Sequence, residues 1–266
     1  MARDPNFDWK AILEGNDPRA RRFRSFFRRI PSSPRCKMCA APFEGPGAPV
    51  MRAVGRGRWP KNPNYCGACQ GWVRDHPGGA EVELTFLFAD VRGSTGLGER
   101  LTPTGFSELL SRFYEVSARV VVAHDGIVDK FVGDEIVAFF VPPFAGPDHP
   151  ADGIAAARQL VRETGQGSAH GPAIAVGAGV HTGVAFVGSV GDGDVTDFTA
   201  LGDPVNTTAR LASAAGAGEV LVTQAAATAA SLPTDGLERR RLDLRGRAEP
   251  IEVVVLQTSP ERWAQA

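Results

Sequence analysis

Residues 127–140 read IVDKFVGDEIVAFF. Two runs rich in β-branched and aromatic residues flank Gly133-Asp134, a pair that favours a tight turn, so the stretch is expected to fold as a β-hairpin. Upstream, LTFLFADV (84–91) is a short apolar run of the kind a buried strand shows, and the carboxylate of Asp90 closes it. Between them Phe106, Leu109, Leu110, Phe113, Val116, Val120 and Val121 mark one face of a helix that Gly126 would stop. Downstream, ADGIAAARQLVRE (151–163) reads as a helix, and AIAVGAGVHTG with VAFVGSVG (173–191) as a second strand pair. Asp203 to Ala214 suits a helix, VLVT (220–223) a strand, and the end alternates short strands with turns. A mixed sheet flanked by helices is the architecture implied.

The part before residue 80 has another character. Residues 1–80 hold 15 Lys and Arg against 6 Asp and Glu, a balance of +9, whereas the rest carries −10. The formal net charge of −1 therefore conceals two modules of opposite sign. In RRFRSFFRRI (21–30), Phe23, Phe26, Phe27 and Ile30 form an apolar stripe if helical, with Arg21, Arg22, Arg24, Arg28 and Arg29 around it. Such a helix can lie on an anionic membrane or receive a regulatory partner, but packing of the stripe onto the next module is the preferred reading. Pro77 to Val82 reads as a short joint.

Cys36-x-x-Cys39 and Cys66-x-x-Cys69 stand 26 residues apart in a segment with little periodicity. Four thiolates in paired turns suit one tetrahedral Zn²⁺, with an iron–sulfur cluster as the alternative. Arg52, Arg56, Arg58, Trp59 and Lys61 make a basic stretch, for which structural docking is preferred to nucleic-acid contact. No apolar run approaches the roughly 20 residues of a membrane span, and MARDPNFDWK lacks the apolar centre of a secretory signal; a cytoplasmic location is expected. The expected organisation is a basic segment at 1–35, a four-cysteine zinc-binding module at 36–79, a catalytic domain at 80–258 and a tail at 259–266.

FADVRGST (88–95), DKFVGDEIVAFF (129–140), GVHTGVAFVGSVG (179–191) and FTALGDPVNTTARL (198–211), in that order, resemble the catalytic domain of class III adenylate/guanylate cyclases over about two thirds of the chain. The resemblance implies an α+β, ferredoxin-like cyclase fold with a mainly antiparallel mixed sheet. It also implies that Asp90 and Asp134 bind two Mg²⁺ or Mn²⁺ ions, which suits hard cations with oxygen ligands. Lys130 and Thr199 match the two base-reading positions, and their donor and acceptor groups argue for ATP rather than GTP. Asn206 and Arg210, four apart on one helix face, match the ribose-orienting and transition-state residues. LDLRGRAEP (242–250) resembles the segment that gives a basic residue to the triphosphate, Arg245 by alignment or else Arg247. Some relatives carry an Arg just before the GIH-type strand motif, where this chain has Gly177 and Ala178.

An adenylate cyclase forming 3′,5′-cyclic AMP and pyrophosphate by two-metal catalysis is therefore expected. Its sites would be shared across a homodimer, and each chain would hold one structural Zn²⁺. A guanylate cyclase, or an inactive cyclase-like nucleotide-binding domain, is the alternative.

Overall fold

The computed structural model describes residues 8–32, 34–60, 62–166, 171–192, 195–243 and 249–258. The chain divides into two compact units by contact. The first is Met1–Val82 with Val141–Gly146 and Ala185–Leu201; the second is Glu83–Phe140, Pro147–Val184 and Gly202–Ala266. Packing, not chain order, sets these groupings.

The elements run α1 (Trp9–Leu13), α2 (Pro18–Arg28), α3 (Ala48–Ala53), β1 (Arg58–Trp59), β2 (Asn62–Cys66), α4 (Gly67–Asp75) and β3 (Gly78–Val91). There follow α5 (Ser94–Arg100), α6 (Pro103–Ala123), β4 (Ile127–Val132), β5 (Glu135–Phe140), α7 (Pro142–Ala145) and α8 (His149–Gly165). The chain continues with β6 (Val176–Asp192), β7 (Val195–Leu201), α9 (Asp203–Ala214), β8 (Glu219–Thr223), α10 (Gln224–Ala229), β9 (Glu238–Leu242) and β10 (Ile251–Gln257).

In the second unit the sheet order is β4-β5-β3-β6-β8-β10-β9. β4–β5, β3–β5, β8–β10 and β9–β10 are antiparallel, and β6–β8 is parallel. This is the mixed, mainly antiparallel α+β fold expected. The hairpin at 127–140 is present, and its turn works because Gly133 takes φ +60°, a conformation that favours glycine. Leu84, Phe86, Leu87 and Phe88 of β3 and Ile136, Ala138 and Phe139 of β5 are buried, which explains the near-continuous apolar runs. α6 packs on α8, burying Phe113, Val120 and Val121 and, from α8, Ile154, Leu160 and Val161.

Two expectations are corrected. The second strand pair at 173–191 is one long strand, β6, whose antiparallel partner β7 comes later, at 195–201. Gly183 does not break it; a Cβ there would sit 3.1 Å from Pro204 Cγ, so the glycine admits a close neighbour rather than a turn. The joint at 77–82 belongs to β3, which starts at Gly78. A Cβ on Gly79 would lie 2.2 Å from the Val187 carbonyl oxygen, and one on Gly188 would lie 2.3 Å from that of Gly78. The Gly-Gly pair marks a close approach of two backbones within the first unit.

The first unit is held by cysteines and aromatics. Asp17 caps α2 by accepting from the Ala20 amide at 2.6 Å, with Pro18 in the first turn. Phe27 is buried with Cys36, Ala40, Ala41, Phe43, Cys66 and Cys69, and Ile30 packs against that cluster. The stripe is thus split, since Phe23 and Phe26 stay exposed. Trp9 stacks on Phe198 with centroids 6.2 Å apart, and Tyr65 meets Phe198 edge-on at 6.3 Å.

Candidate active site and metal centre

Asp90 sits near the end of β3 and is register partner of Glu135 on β5; Asp134 occupies the adjoining hairpin turn. The Val91 amide donates to the Asp134 carbonyl at 3.2 Å, which docks the turn on the strand. The Asp134 carboxylate is near enough to Asp90 to disfavour its ionisation. Burial pushes the Asp90 pKa up to about 6; Arg92 opposes this and Asp134 reinforces it. Carboxylates crowded in this way favour either a shared proton or a bound cation.

Sequence reasoning missed three residues around this pair. Glu135 has its pKa raised to about 7, by burial first and then by the charges of Asp90 and Asp134. Arg92 pairs with Asp90 Oδ2, and its Nη1 donates to the Ser213 carbonyl at 3.0 Å, tying the carboxylate strand to the carbonyl end of α9. Tyr114 of α6 packs at a tilt against Phe131 with centroids 4.3 Å apart, and its hydroxyl donates to the Gly133 carbonyl. None of the three was signalled locally: Glu135 comes opposite Asp90 only through the β3–β5 pairing, and the Ser213 anchor of Arg92 and the turn contact of Tyr114 are tertiary.

Lys130 lies on β4 beside a bulge, with a side chain 47% exposed and an ion pair to Asp129 at 3.4 Å. Asn206 is exposed and Arg210 half-buried on α9, and neither side chain engages another described residue. They remain a pair on one helix face, open to a ligand or another chain. Thr199 is buried on β7 in the first unit. Arg245 and Arg247 lie outside the described residues. The absence of a side chain at 177 has a local cause: a Cβ there would be 2.7 Å from the Ala215 carbonyl oxygen, beyond the end of α9.

The four cysteines of the first unit converge. Their sulfurs all lie within 4.8 Å of one another, with Cys36–Cys69 and Cys39–Cys66 both at 3.8 Å. Disulfide sulfurs would be about 2.05 Å apart, whereas thiolates at about 2.3 Å from one tetrahedral ion are separated by about 3.8 Å. The donor set therefore fits a single metal ion. The knuckle CKMCA is shaped by Ala40 at φ +63°, with its amide donating to the Cys36 carbonyl at 2.9 Å. The Cys66 amide donates to Cys36 Sγ at 3.3 Å and the Cys69 amide to Cys66 Sγ at 3.4 Å. Hydrogen bonds with Cys36, then Cys39 and Cys69, drive the Cys66 thiol strongly towards thiolate, while those of Cys69 with Cys36, Cys39 and Cys66 push Cys69 up. Arg56 donates to Cys39 Sγ at 3.5 Å.

Several arginines of this unit are structural. Arg24 donates to the Met38 carbonyl at 3.0 Å, and Arg35 to the carbonyls of Phe27 at 2.8 Å and Ala40 at 3.1 Å, clasping α2 to the knuckle.

Residues 80–257 match the family model for the adenylate and guanylate cyclase catalytic domain. The chain is 32% identical over 199 residues to Uncharacterized protein Rv1318c of Mycobacterium tuberculosis, covering 71% of this chain and 36% of that one. It is 33% identical over 134 residues to Adenylate cyclase 1 of Rhizobium meliloti, covering 48% and 20%. The chain thus spans about a third or less of the length of these curated relatives. Among solved structures, it is similar to the guanylyl cyclase Cya2, with TM-score 0.62 and 26% identity over 70% of this chain and 97% of that one. It is similar also to the adenylyl cyclase CyaB from P. aeruginosa, with TM-score 0.55 and 26% identity over 69% and 97%.

Proposed function

The chain belongs to the family of adenylate and guanylate cyclase catalytic domains, and from that premise we propose that it is an adenylate cyclase converting ATP to 3′,5′-cyclic AMP and pyrophosphate. The observation that carries this reading is the Asp90–Asp134 pair, half-buried and drawn together by the β4–β5 turn. Asp90 and Asp134 would hold two Mg²⁺ or Mn²⁺ ions, which supply charge neutralisation at the triphosphate and acidify the ribose 3′-hydroxyl. Arg92 competes for Asp90 in the absence of a cation, and its second anchor at Ser213 gives it a place to remain when the carboxylate is taken. Tyr114 and the Val91 amide hold the turn, so Asp134 is presented without reorganisation.

Asn206 orients the ribose, and Arg210 presents a permanent, planar cation to the charge that develops at the α-phosphate. Lys130 donates to an adenine ring nitrogen, and the Thr199 hydroxyl accepts from the exocyclic amine. Arg245, with Arg247 as the alternative, contacts the triphosphate. The metal aspartates of one chain work with the nucleotide-reading residues of a second in a homodimer, an arrangement supported by the open side chains of Asn206 and Arg210. The four-cysteine cluster holds one structural Zn²⁺; sulfur spacing suited to one ion supports this over a multi-iron cluster.

The test is incubation of the purified chain with ATP or GTP and Mg²⁺ or Mn²⁺, with identification of the product. Cyclic AMP from ATP, abolished in Asp134→Ala, is expected. Cyclic GMP as the main product would assign the guanylate alternative, and no cyclic product under any pairing would leave a nucleotide-binding domain.

A further inference from the structure

One flank of α2 has no part in cyclase chemistry. Arg19, Arg22, Phe23, Phe26 and Arg29 are spaced by three, one, three and three residues, so they share one side of the helix. All five are exposed, Phe23 at 54% and Phe26 at 61%. The adjoining side of α2 is anchored by Phe27, only 5% exposed against the cysteine cluster. The flank is therefore fixed in place by a folded module and is not a frayed end.

Its charge is of one sign. From Pro18 to Phe43 the chain has eight Lys and Arg and no Asp or Glu. Arg24 and Arg35 are spent on carbonyls of the knuckle. Arg19, Arg22 and Arg29, in contrast, meet no acceptor among the described residues. Arg56 lies over the Phe23 ring at 5.9 Å, adding a cation behind the aromatic pair.

We propose that this flank of α2 docks the chain on an anionic phospholipid surface. The helix lies in the plane of the bilayer, with Phe23 and Phe26 in the boundary between headgroups and acyl chains. Arg19, Arg22 and Arg29 reach phosphates and acidic headgroups, and their aliphatic stems cover apolar surface. A helix side with two exposed rings set between arginines suits an interface between water and lipid. Single-stranded nucleic acid is instead held in a basic groove with rings on which bases stack. Because α2 is already ordered, docking carries no folding cost.

Co-flotation of the purified full chain with vesicles tests the proposal. Vesicles of phosphatidylcholine alone are compared with phosphatidylcholine and phosphatidylserine at about 7:3, in about 50 and 500 mM NaCl. Flotation is expected with the serine-containing vesicles at low salt, and at least about ten-fold less in the other conditions. The double variant Phe23→Ser with Phe26→Ser should lose at least about ten-fold of that binding while keeping its helicity and metal content. A triple Arg-to-Gln variant at Arg19, Arg22 and Arg29 should do the same, and these three exposed arginines meet no acceptor among the described residues. Absence of serine-dependent flotation at low salt would overturn the proposal. So would native flotation of the Phe variant with duplex DNA displacing the protein from vesicles, which would reassign the flank to nucleic acid.

Discussion

Arg210 is half-buried and its guanidinium meets no other described residue, so truncation should leave the fold intact and remove only the transition-state contact proposed for it. Arg210→Ala is expected to lower kcat by about 100-fold or more with little change in KM, measured by initial rates of cyclic nucleotide formation. Equal kcat in the variant would remove Arg210 from the mechanism. Lys130→Glu with Thr199→Cys reverses the donor pattern offered to the base, so use of ATP should fall relative to GTP. Unchanged ATP turnover would refute the assignment of the base pocket. Glu219 illustrates a purely structural charge. Arg240 donates to both its oxygens at 2.7 and 2.8 Å, the Gly216 amide at 2.8 Å and Gln257 at 3.0 Å, joining β8, β9 and β10. The Arg240 hydrogen bonds lead in lowering its pKa to about 2. A carboxylate with a depressed folded pKa adds stability above its unfolded value near 4.5, and that contribution is lost as pH falls through the folded value. Glu219→Gln should therefore cost roughly 2–3 kcal/mol at pH 7, after allowance for partial exposure of Arg240. The gap in urea midpoint between native and variant chains should close as pH falls from about 5 to about 2. A gap independent of pH would mean that packing, not ionisation, is responsible.

Elements in this chain depend on different supports. The second unit has a continuous apolar sheet, whereas the cysteine knuckle replaces a core that the first unit's sequence cannot supply. Cys66 is wholly buried, its sulfur caps α4 by accepting from the Cys69 amide, and it lies 3.8 Å from the Cys39 sulfur. Cys66→Ser should therefore abolish metal binding at the proposed zinc site and melt α2 and α4. Limited proteolysis should then cut within residues 18–75 while fragments of the second unit survive. A native digestion pattern with no bound metal would show that the cysteines are dispensable to the fold. The sequence was legible where the signal is local. Gly133-Asp134 announced its hairpin, and the 3.6-residue period announced α6 and α8. It misled at Gly78-Gly79 and Gly183, where glycine serves close approach, because a glycine required by a distant backbone looks the same as one required by a turn. Asp90 and Asp134 were readable as a motif, but Arg92 and Tyr114 were not, since each acts through carbonyls far along the chain.

For the molecule as a unit, the question is whether one chain can complete a site. Asp90 and Asp134, the proposed metal ligands, stand at the end of β3 and in the β4–β5 turn, while Asn206 and Arg210 of α9 have no partner among the described residues. A homodimer would supply each set to the other, and this arrangement has a quantitative consequence. An Asp90→Ala chain lacks one half of every site, and an Asn206→Ala chain lacks the other half, so each alone should be inactive. In a mixed dimer one site gathers both lesions and its counterpart gathers none. Random mixing makes about half the dimers mixed, each with one of two sites intact, so activity should return to about a quarter of the native value per chain. If each chain built its own complete site, every site in the mixture would still carry one lesion and no activity would return. Co-purification with two different tags establishes that mixed dimers are present, and a null result in their presence would assign catalysis to the single chain.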